Sequence, residues 1–307
     1  DIARVNVDTT VQEKAVAFPT DSGLYQKARL VLVRKARKRG IDLRQSYVRV
    51  GKKALHRQSR YRHARQMKWA NRQTRKLRTY LGRVIRDIRR KSPEPDGALE
   101  QYLQIAEGVY HQRRHDKNKV YSVFAPEVEC IAKGKAHKKY EFGCKVSFVS
   151  TSKNNWIVGA KAVHGNPYDG HTLDMALKQS ERLTGKRCRD VYCDRGYRGA
   201  KVDRSDDYQI HLAGRKRKGL TRSERKWLKR RSAIEPLIGH LKGDHRLSRN
   251  HLLGEVGDDT NAILAACGFN IKKLLRAFLR LVFSWLKTAG VLIGNPTIDY
   301  GFIPMNP

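Results

Sequence analysis

The order of apolar patterns along the chain predicts an α/β fold: a mixed sheet flanked by helices, with a long basic helical insertion after the first strand. Alternating apolar residues mark one short strand near the N-terminus. Residues 22–115 then contain almost no strand signal and are typical of several helices. From about residue 120 onward, strand-like segments alternate with helix-like ones. The strands of one sheet are therefore expected to come from both sides of a helical segment.

The first strand lies in the segment ARVNVDTT, and it is expected to end at Asp8, at an edge of the sheet. The helical insertion that follows is strongly basic, because residues 51–91 hold 16 Lys or Arg and one acid, Asp87. Its apolar residues at i, i+4, i+7 and i+11 are Leu77, Leu81, Val84 and Ile88. This spacing predicts an amphipathic helix with one packed side and a cationic remainder. SPEPDG ends that helix, and GALEQYLQIAEGVYHQR predicts another.

The second half of the chain supplies the other strands. KYEFGCKVSFVST and NWIVGAKAVHG predict an antiparallel pair, and DGHTLDMALKQSERLTG predicts a helix that ends at Gly185. The strand RDVYCD ends at Asp194, and a short strand YQIHLAG follows. TRSERKWLKRRSAIEPLIGHLK predicts a helix that begins with a capping box of Thr221 and Glu224. The chain is thus expected to divide into the first strand of the core (1–20), the basic helical insertion (21–119), the remainder of the core (120–250) and a C-terminal helix and tail (251–307).

The charge of the chain predicts a polyanionic partner. There are 65 Lys and Arg against 29 Asp and Glu, which gives a formal net charge of +36 and a pI near 10.4. An anionic membrane surface is the alternative, but no uncharged apolar run reaches the roughly 18 residues that a spanning helix needs. The most apolar segment begins at Ile263, and its cations are Lys272, Lys273, Arg276 and Arg280. That segment is therefore expected to be a packing helix with a basic edge.

The cysteines predict neither a disulfide framework nor a zinc site. There are five of them, an odd number, and no two form a CxxC pair. Reduced thiols in a cytoplasmic protein are the simpler interpretation, and no secretory signal pattern is visible. We expect a cytoplasmic, nucleoid-associated protein.

Three carboxylates are the catalytic candidates. Asp8 and Asp194 each follow a predicted strand, and Glu235 lies on the last predicted helix of the core. Arg231, Glu235 and Lys242 are spaced i, i+4, i+11, which places them within roughly 40° of one another around a helix. Mg²⁺ prefers hard oxygen ligands, and such a cluster suits metal-dependent phosphoryl transfer. The alternatives are a turn role for Asp8 and a surface pair of Glu235 with Arg231, worth only a few tenths of a kcal/mol.

These residues lie in motifs that resemble those of a known family. VDTT, YCDRGYRG and IEPLIGHLK resemble the motifs of the DDE transposases of bacterial insertion sequences, in particular the IS5-like and IS4-like groups, over residues 1–278. The resemblance implies an RNase H-like fold and makes Asp8, Asp194 and Glu235 the catalytic and metal-binding triad. It also implies that Arg231 and Lys242 contact DNA phosphates. The family often has a Tyr three residues before the Arg, where this chain has Leu228.

The resemblance implies Mg²⁺ as the cofactor, with Mn²⁺ able to substitute. It further implies cleavage at transposon ends, strand transfer into target DNA, and a homo-oligomer assembled on both DNAs. From its charge, the helical insertion is predicted to contact phosphates. The residues named for DNA binding, besides Arg231 and Lys242, are Lys68, Arg72, Arg75, Arg78, Arg195 and Tyr197. For Arg195 and Tyr197 a turn role is an equal alternative.

Two further expectations complete the prediction. Members of the family usually carry a helical DNA-binding region before the first strand, so a chain whose first catalytic candidate is Asp8 is expected to be N-terminally truncated. A plain RNase H-like nuclease and an inactive or domesticated basic DNA-binding protein remain the alternative functions. His164, Asp169 and His171 lie together in HGNPYDGHT, where polar groups of a turn are expected in preference to a role near the active site.

Overall fold

A six-stranded mixed sheet forms the centre of the structure, a computed structural model that describes residues 2–132, 138–200, 208–214 and 219–289. The strands are β1 (Arg4–Glu13), β2 (Glu129–Ala132), β3 (Tyr140–Thr151), β4 (Ile157–Val163), β5 (Asp190–Cys193) and β6 (Gln209–Leu212). Their order is β2-β3-β1-β5-β6, and β4 also pairs with β3. The predicted α/β class with a mixed sheet is confirmed.

The pairing is antiparallel on one side of β1 and parallel on the other. β1 pairs with β3 from Val5 opposite Thr151 to Glu13 opposite Gly143. It pairs with β5 in parallel over residues 4–6 alone, and β6 continues the parallel half beyond β5. β2 pairs with the start of β3, and β4 pairs with the part of β3 that follows. The pairing of β3 with β4 is the antiparallel pair that the sequence predicts.

The end of β1 differs from the prediction, because β1 continues past Asp8 to Glu13. The residues after Asp8 include the β-branched Thr9, Thr10 and Val11, and each has a partner on β3. The two strands come so close near their end that a Cβ at Gly143 would lie 1.9 Å from the carbonyl oxygen of Gln12. Asp8 is therefore an interior residue of a long strand rather than its last residue.

Helices cover both faces of the sheet. On one face, α5 (Leu173–Thr184) packs Leu173 and Leu177 against Val5 and Val7 of β1. It ends at Gly185 in a left-handed conformation, as predicted. On the opposite face, α7 (Ile234–Asp244) and the first half of α8 (Gly254–Thr288) pack against β3 and β4. Most apolar side chains of the second half of α8 are exposed, so the predicted packing role holds only for the first half. None of the described helices is both long and apolar enough to cross a membrane.

The segment between β1 and β2 forms four helices with a hydrophobic core of their own. These helices are α1 (Asp21–Lys38), α2 (Val48–His63), α3 (Met67–Lys91) and α4 (Gly97–His111). The predicted apolar stripe of α3 is confirmed, since its members Leu77, Leu81, Val84 and Ile88 are all at most 1% exposed. The predicted break between α3 and α4 is also present, and Asp96 caps α4 by accepting a hydrogen bond from the Leu99 amide.

The helix predicted over residues 221–242 is divided in two. α6 (Arg222–Arg230) begins with the predicted capping box of Thr221 and Glu224. A 3₁₀ turn, Arg231–Ala233, separates it from α7. Pro236 lies in the first turn of α7, where a backbone N–H has no partner within the helix, so the proline fits without kinking it.

Candidate active site

Asp8 and Asp194 come together where two parallel strands diverge. The ladder between β1 and β5 ends at Asn6 opposite Tyr192. Asp8 lies two residues further along β1, and Asp194, two residues after Tyr192, is the first residue after β5. Side chains two residues apart on a strand share a face, so Asp8 projects on the same side of β1 as Asn6. Both carboxylates therefore emerge at the carboxyl end of the parallel pair, a frequent place for ligand sites in α/β sheets.

The turn after β5 fixes the Asp194 carboxylate. Asp194 precedes the 3₁₀ turn Arg195–Tyr197, and its Oδ1 accepts a hydrogen bond of 2.8 Å from the Gly196 amide. Its side chain is 40% exposed, so the other oxygen remains accessible. The preceding Cys193 is fully buried, and burial raises the pKa of its thiol well above the usual value. Cys193 is thus a neutral packing residue beside the carboxylate and not a nucleophile.

Glu235 reaches the same place from α7, which packs on the face of the sheet toward which Asp8 projects. It occupies the first turn of α7, where an acidic side chain is favoured by the helix dipole. The buried Ile234 and Leu237 on either side of it anchor the start of α7 in the core. The Glu235 side chain itself is 63% exposed, the most open of the three candidate carboxylates.

A single guanidinium joins the three carboxylates. Arg231 Nη2 lies 3.1 Å from Asp8 Oδ2 and 4.0 Å from Asp194 Oδ2, and Nη1 lies 3.3 Å from Glu235 Oε1. The Arg231 side chain is only 11% exposed. Asp8 and Glu235 are 227 positions apart in the chain, and they nevertheless share one cation. Because Arg231 is enclosed by carboxylates, the predicted contact with a DNA phosphate requires the guanidinium to leave them.

The donor set fits a hard divalent cation. All three side chains offer carboxylate oxygens, the ligands that Mg²⁺ prefers. Asp8 is 15% exposed and Glu235 63% exposed, so the cluster is enclosed on one side and open to water on the other. Mg²⁺ usually keeps several waters, which such a half-open site allows. The contacts with Arg231 show that the cluster already holds one positive group.

The carboxylates are spread around the guanidinium and are not contracted into a chelating set. In the part of the chain that the structure describes, one group of three possible metal ligands has its ligand atoms within 4.8 Å of one another. This group consists of Cys144, His164 and Asp258. Asp8, Asp194 and Glu235 do not form such a group in this structure. A metal ion in the triad would therefore have to displace Arg231 and draw the carboxylates inward.

Asp169 belongs to this site, although the sequence pattern predicts a polar turn residue at this position. Its Oδ1 accepts hydrogen bonds from Thr9 Oγ1 at 2.9 Å and from Lys145 Nζ at 3.0 Å. Its Oδ2 lies 3.3 Å from the place of a Cβ at Gly196, and Asp194 Oδ1 lies 2.9 Å from the same point. Asp169 therefore supports both the residue after Asp8 and the turn that holds Asp194. The sequence signal that could have indicated this role is the grouping of Asp169 with His164 and His171 in one segment.

The two DNA candidates next to Asp194 have different environments. The Arg195 side chain is exposed, and its Nη2 donates to the Gly214 carbonyl at 2.9 Å. Tyr197 is 1% exposed and packs in the core beneath α5. Burial raises the pKa of its phenol above the usual value. Of the two roles weighed for Tyr197, the structural one fits this burial, since a covered side chain has no surface to present to DNA.

The basic face of α3 is open to solvent. Lys68, Arg72 and Arg75 are exposed and line one groove, which also includes Trp69. Arg78 is exposed too, but its Nε donates to the Tyr110 carbonyl at 2.9 Å and its guanidinium lies over the Tyr110 ring. The one acid of this region, Asp87, is buried and accepts hydrogen bonds from the Arg44 amide and from Arg90. The solvent-facing side of α3 is consequently cationic.

Comparison with known proteins identifies the family. Residues 111–271, slightly more than half of the chain, match the family model of the transposase DDE domain. The chain belongs to this family. The matched segment contains Asp194 and Glu235, whereas Asp8 precedes it.

A curated relative covers a smaller part of the chain. It is the uncharacterized protein ORF8 in the nfe locus of Rhizobium meliloti, which is 65% identical over 65 residues. The aligned part amounts to 21% of this chain and spans 31% of that protein's length. No solved structure matches the chain significantly.

Proposed function

We propose that this chain is the catalytic region of an insertion-sequence DDE transposase of the IS5-like or IS4-like group, which cleaves DNA at transposon ends and joins them to target DNA. The observation that carries the proposal is the convergence of Asp8, Asp194 and Glu235 on the guanidinium of Arg231. A protein that only binds DNA has no need to gather three carboxylates at one sheet edge within a chain of net charge +36. Three clustered carboxylates repel the phosphates of DNA. Such a cluster is therefore useful to a DNA-binding protein only when a metal ion offsets its negative charge.

We assign the sheet to the RNase H-like class. Three features support the assignment: an antiparallel half formed by β1, β3 and β4, a parallel half formed by β1, β5 and β6, and candidate carboxylates on β1 and immediately after β5. The third carboxylate comes from a helix that follows the last described strand. The four helices inserted between β1 and β2 then form an addition to this core.

The proposed chemistry is a pair of in-line displacements at phosphorus. Water attacks the phosphodiester at the transposon end and leaves a 5′-phosphate and a free 3′-hydroxyl. This hydroxyl then attacks a phosphodiester of the target and displaces a target 3′-hydroxyl. Mg²⁺, or Mn²⁺ in its place, would supply Lewis-acid activation and charge neutralisation when held by the three carboxylates. Asp8 is held within its strand and Asp194 Oδ1 by the Gly196 amide, so only small side-chain movements would be needed once an ion displaces Arg231. Arg231, once released from the carboxylates, is placed to neutralise a phosphate next to them.

The partners that we propose are transposon-end and target DNA, bound by a homo-oligomer associated with the nucleoid. The exposed cations of α3 and the net charge of +36 support a DNA partner. Phosphate contacts supply most of the affinity of such proteins and position the duplex.

A cleavage and joining assay tests the proposal. The chain is incubated with Mg²⁺ or Mn²⁺ and a duplex carrying the transposon end, then with labelled target DNA. Cleavage at the end followed by covalent joining is the expected result. Binding with no cleavage would favour the DNA-binding alternative, and cleavage without joining would favour a nuclease.

The basic face of α3 leads to a prediction about salt dependence. Replacing Lys68, Arg72 and Arg75 together by Gln should weaken DNA binding and reduce the slope of log K against log salt by about 0.9 per lost phosphate contact. Fluorescence anisotropy over a salt series measures this. The matched control removes the exposed cations Arg182, Lys186 and Arg189 near the end of α5, and it should leave the slope nearly unchanged. Equal slopes for the two triple variants would place the DNA elsewhere than α3.

Lys242 and Glu235 are proposed to have separate tasks on α7. Lys242 lies seven residues after Glu235, about 10 Å at 1.5 Å per residue, which is the distance of a neighbouring phosphate rather than of a shared metal ion. Lys242→Ala should raise the DNA concentration for half-maximal cleavage several-fold and leave metal affinity unchanged. Glu235→Gln should retain DNA binding in Ca²⁺ and lose cleavage, because an amide keeps the shape without the charge. Loss of metal affinity in Lys242→Ala would contradict this division.

A further inference from the structure

A second group of metal-type ligands lies in the interior, away from the three candidate carboxylates. Cys144 on β3, His164 after β4 and Asp258 on α8 place one ligand atom each within 4.8 Å of one another. Cys144 is opposite Gln12 in the β1–β3 ladder, and Gln12 lies four residues beyond Asp8. That separation is roughly 13 Å at about 3.3 Å per residue. The two groups are thus distinct sites on the same sheet.

The ligand atoms are buried and directed toward one another. Cys144 is fully buried and Asp258 is 3% exposed. His164 Nε2 lies 3.6 Å from Asp258 Oδ2, and this separation is too long for a hydrogen bond. Ligand atoms around a tetrahedral zinc ion are roughly 3.3–3.8 Å apart, since the bonds to the metal are about 2.0–2.3 Å. The His164–Asp258 pair already has this spacing.

His164 of the cluster and the neighbouring Glu129 have buried polar atoms that lack hydrogen-bond partners among the described residues. Both ring nitrogens of His164 are without one, although they are inaccessible to solvent, and the same holds for Glu129 Oε2. Buried polar atoms are normally satisfied, so a group in this condition calls for an explanation such as an ion. A cation between His164 Nε2, Asp258 Oδ2 and Cys144 Sγ would satisfy the imidazole.

The surrounding residues hold each ligand as a metal site requires. Glu129 Oε1 lies 3.6 Å from His164 Nδ1, on the side of the ring opposite Asp258. A carboxylate behind a histidine fixes the tautomer that leaves Nε2 free for a metal. Asp258 Oδ1 accepts from Lys14 Nζ at 2.8 Å and from Asn250 Nδ2 at 2.6 Å, so Oδ2 is turned toward the cluster.

We propose that Cys144, His164 and Asp258 form a structural site for a transition-metal ion of the Zn²⁺ type. The sulfur, nitrogen and oxygen donors suit Zn²⁺ or Co²⁺ and do not suit Mg²⁺. The site connects β3, the end of β4 and the start of α8, so a bound ion would tie α8 to the sheet. The Lys14 ammonium, paired with Glu127 as well as Asp258, limits the negative charge around it. The metal-bound state competes with a metal-free state in which a protonated His164 lies between Glu129 and Asp258. Glu129 raises the pKa of His164 and thereby favours the protonated, metal-free state.

Cobalt spectroscopy distinguishes these two states. The full chain is purified under reducing conditions, freed of metal with a chelator and titrated with Co²⁺, then back-titrated with Zn²⁺. We expect a thiolate-to-cobalt absorption band that saturates at one thiolate-bound Co²⁺ per chain and that Zn²⁺ removes. The band should be lost in Cys144→Ser and retained in Cys267→Ser, which changes the exposed thiol of α8. Far-UV circular dichroism of both variants verifies that they fold.

Two further variants keep the result interpretable. His164→Gln retains the thiolate and should keep the band while its Co²⁺ affinity falls at least about 10-fold. Asp194→Asn should leave the thiolate band and its dependence on Co²⁺ concentration unchanged, since the two sites are separate. The absence of a thiolate band in the unmodified chain, or its persistence in Cys144→Ser, would overturn the proposal and leave the protonated His164 as the account of the cluster. Neither result bears on the transposase proposal.

Discussion

Asp194→Asn should reduce cleavage of the transposon end by at least about 100-fold, because loss of even an outer partner of a metal ligand costs about 10–100-fold. The amide retains the shape of the side chain and an acceptor for the Gly196 amide, but it loses the negative charge that a divalent ion requires. DNA binding in Ca²⁺ should be almost unchanged. Single-turnover cleavage in Mg²⁺ and Mn²⁺, together with anisotropy, measures both quantities.

Asp190→Asn is a suitable control for this variant. Asp190 lies on the same strand, β5, and contacts Arg4 and His211 rather than Arg231. It should retain cleavage within a few-fold. If Asp194→Asn cleaves as well as the unmodified chain, the assignment of the three carboxylates fails, whatever the behaviour of the control.

Arg231→Gln should destabilise the chain in the absence of divalent ions by about 1–3 kcal/mol, because it leaves the carboxylates without their cation. Asp8 is affected most, since its side chain is 15% exposed and has little access to water. Removing the competing guanidinium should also increase the affinity for Ca²⁺, an ion that selects oxygen ligands and disfavours the Cys144 cluster. Added Ca²⁺ should therefore restore more stability to Arg231→Gln than to the unmodified chain.

Urea unfolding with and without Ca²⁺ measures both effects, and calorimetric titration gives the affinity. Arg222→Gln removes an exposed cation from the start of α6 and serves as the matched control. It should leave the stability and the Ca²⁺ response nearly unchanged. Equal behaviour of the two variants would show that Arg231 is not the counter-cation of the cluster.

The elements with strong periodicity were predictable from the sequence. The stripe of α3, the β3–β4 pair, the glycine end of α5 and the capping box of α6 depend on local patterns, and all four are present. The end of β1 was not predictable in the same way. Asp8 resembles a strand terminus, but the pairing of the following residues with β3 extends the strand, and that partner lies more than a hundred residues away.

The geometry of the site was predictable only in part. Spacing on a helix brought Arg231 beside Glu235, and the contact of 3.3 Å between them is present although a 3₁₀ turn divides the predicted helix. No local pattern indicates that Arg231 also reaches Asp8 and Asp194. The support given by Asp169, and the meeting of Cys144, His164 and Asp258, likewise depend on the tertiary fold, because these residues come from separate elements.

Anomalous diffraction from crystals soaked in Mn²⁺ tests directly whether Asp8, Asp194 and Glu235 hold a metal ion. An anomalous peak is expected between the carboxylates of Asp8 and Asp194, with metal–oxygen distances of about 2.1 Å, as for Mg²⁺. Arg231 Nη2 is also expected to move away from Asp8, from which it is now 3.1 Å distant. A structure with full Mn²⁺ occupancy elsewhere, no peak at these carboxylates and Arg231 still in place would contradict the claim that they are a catalytic metal site.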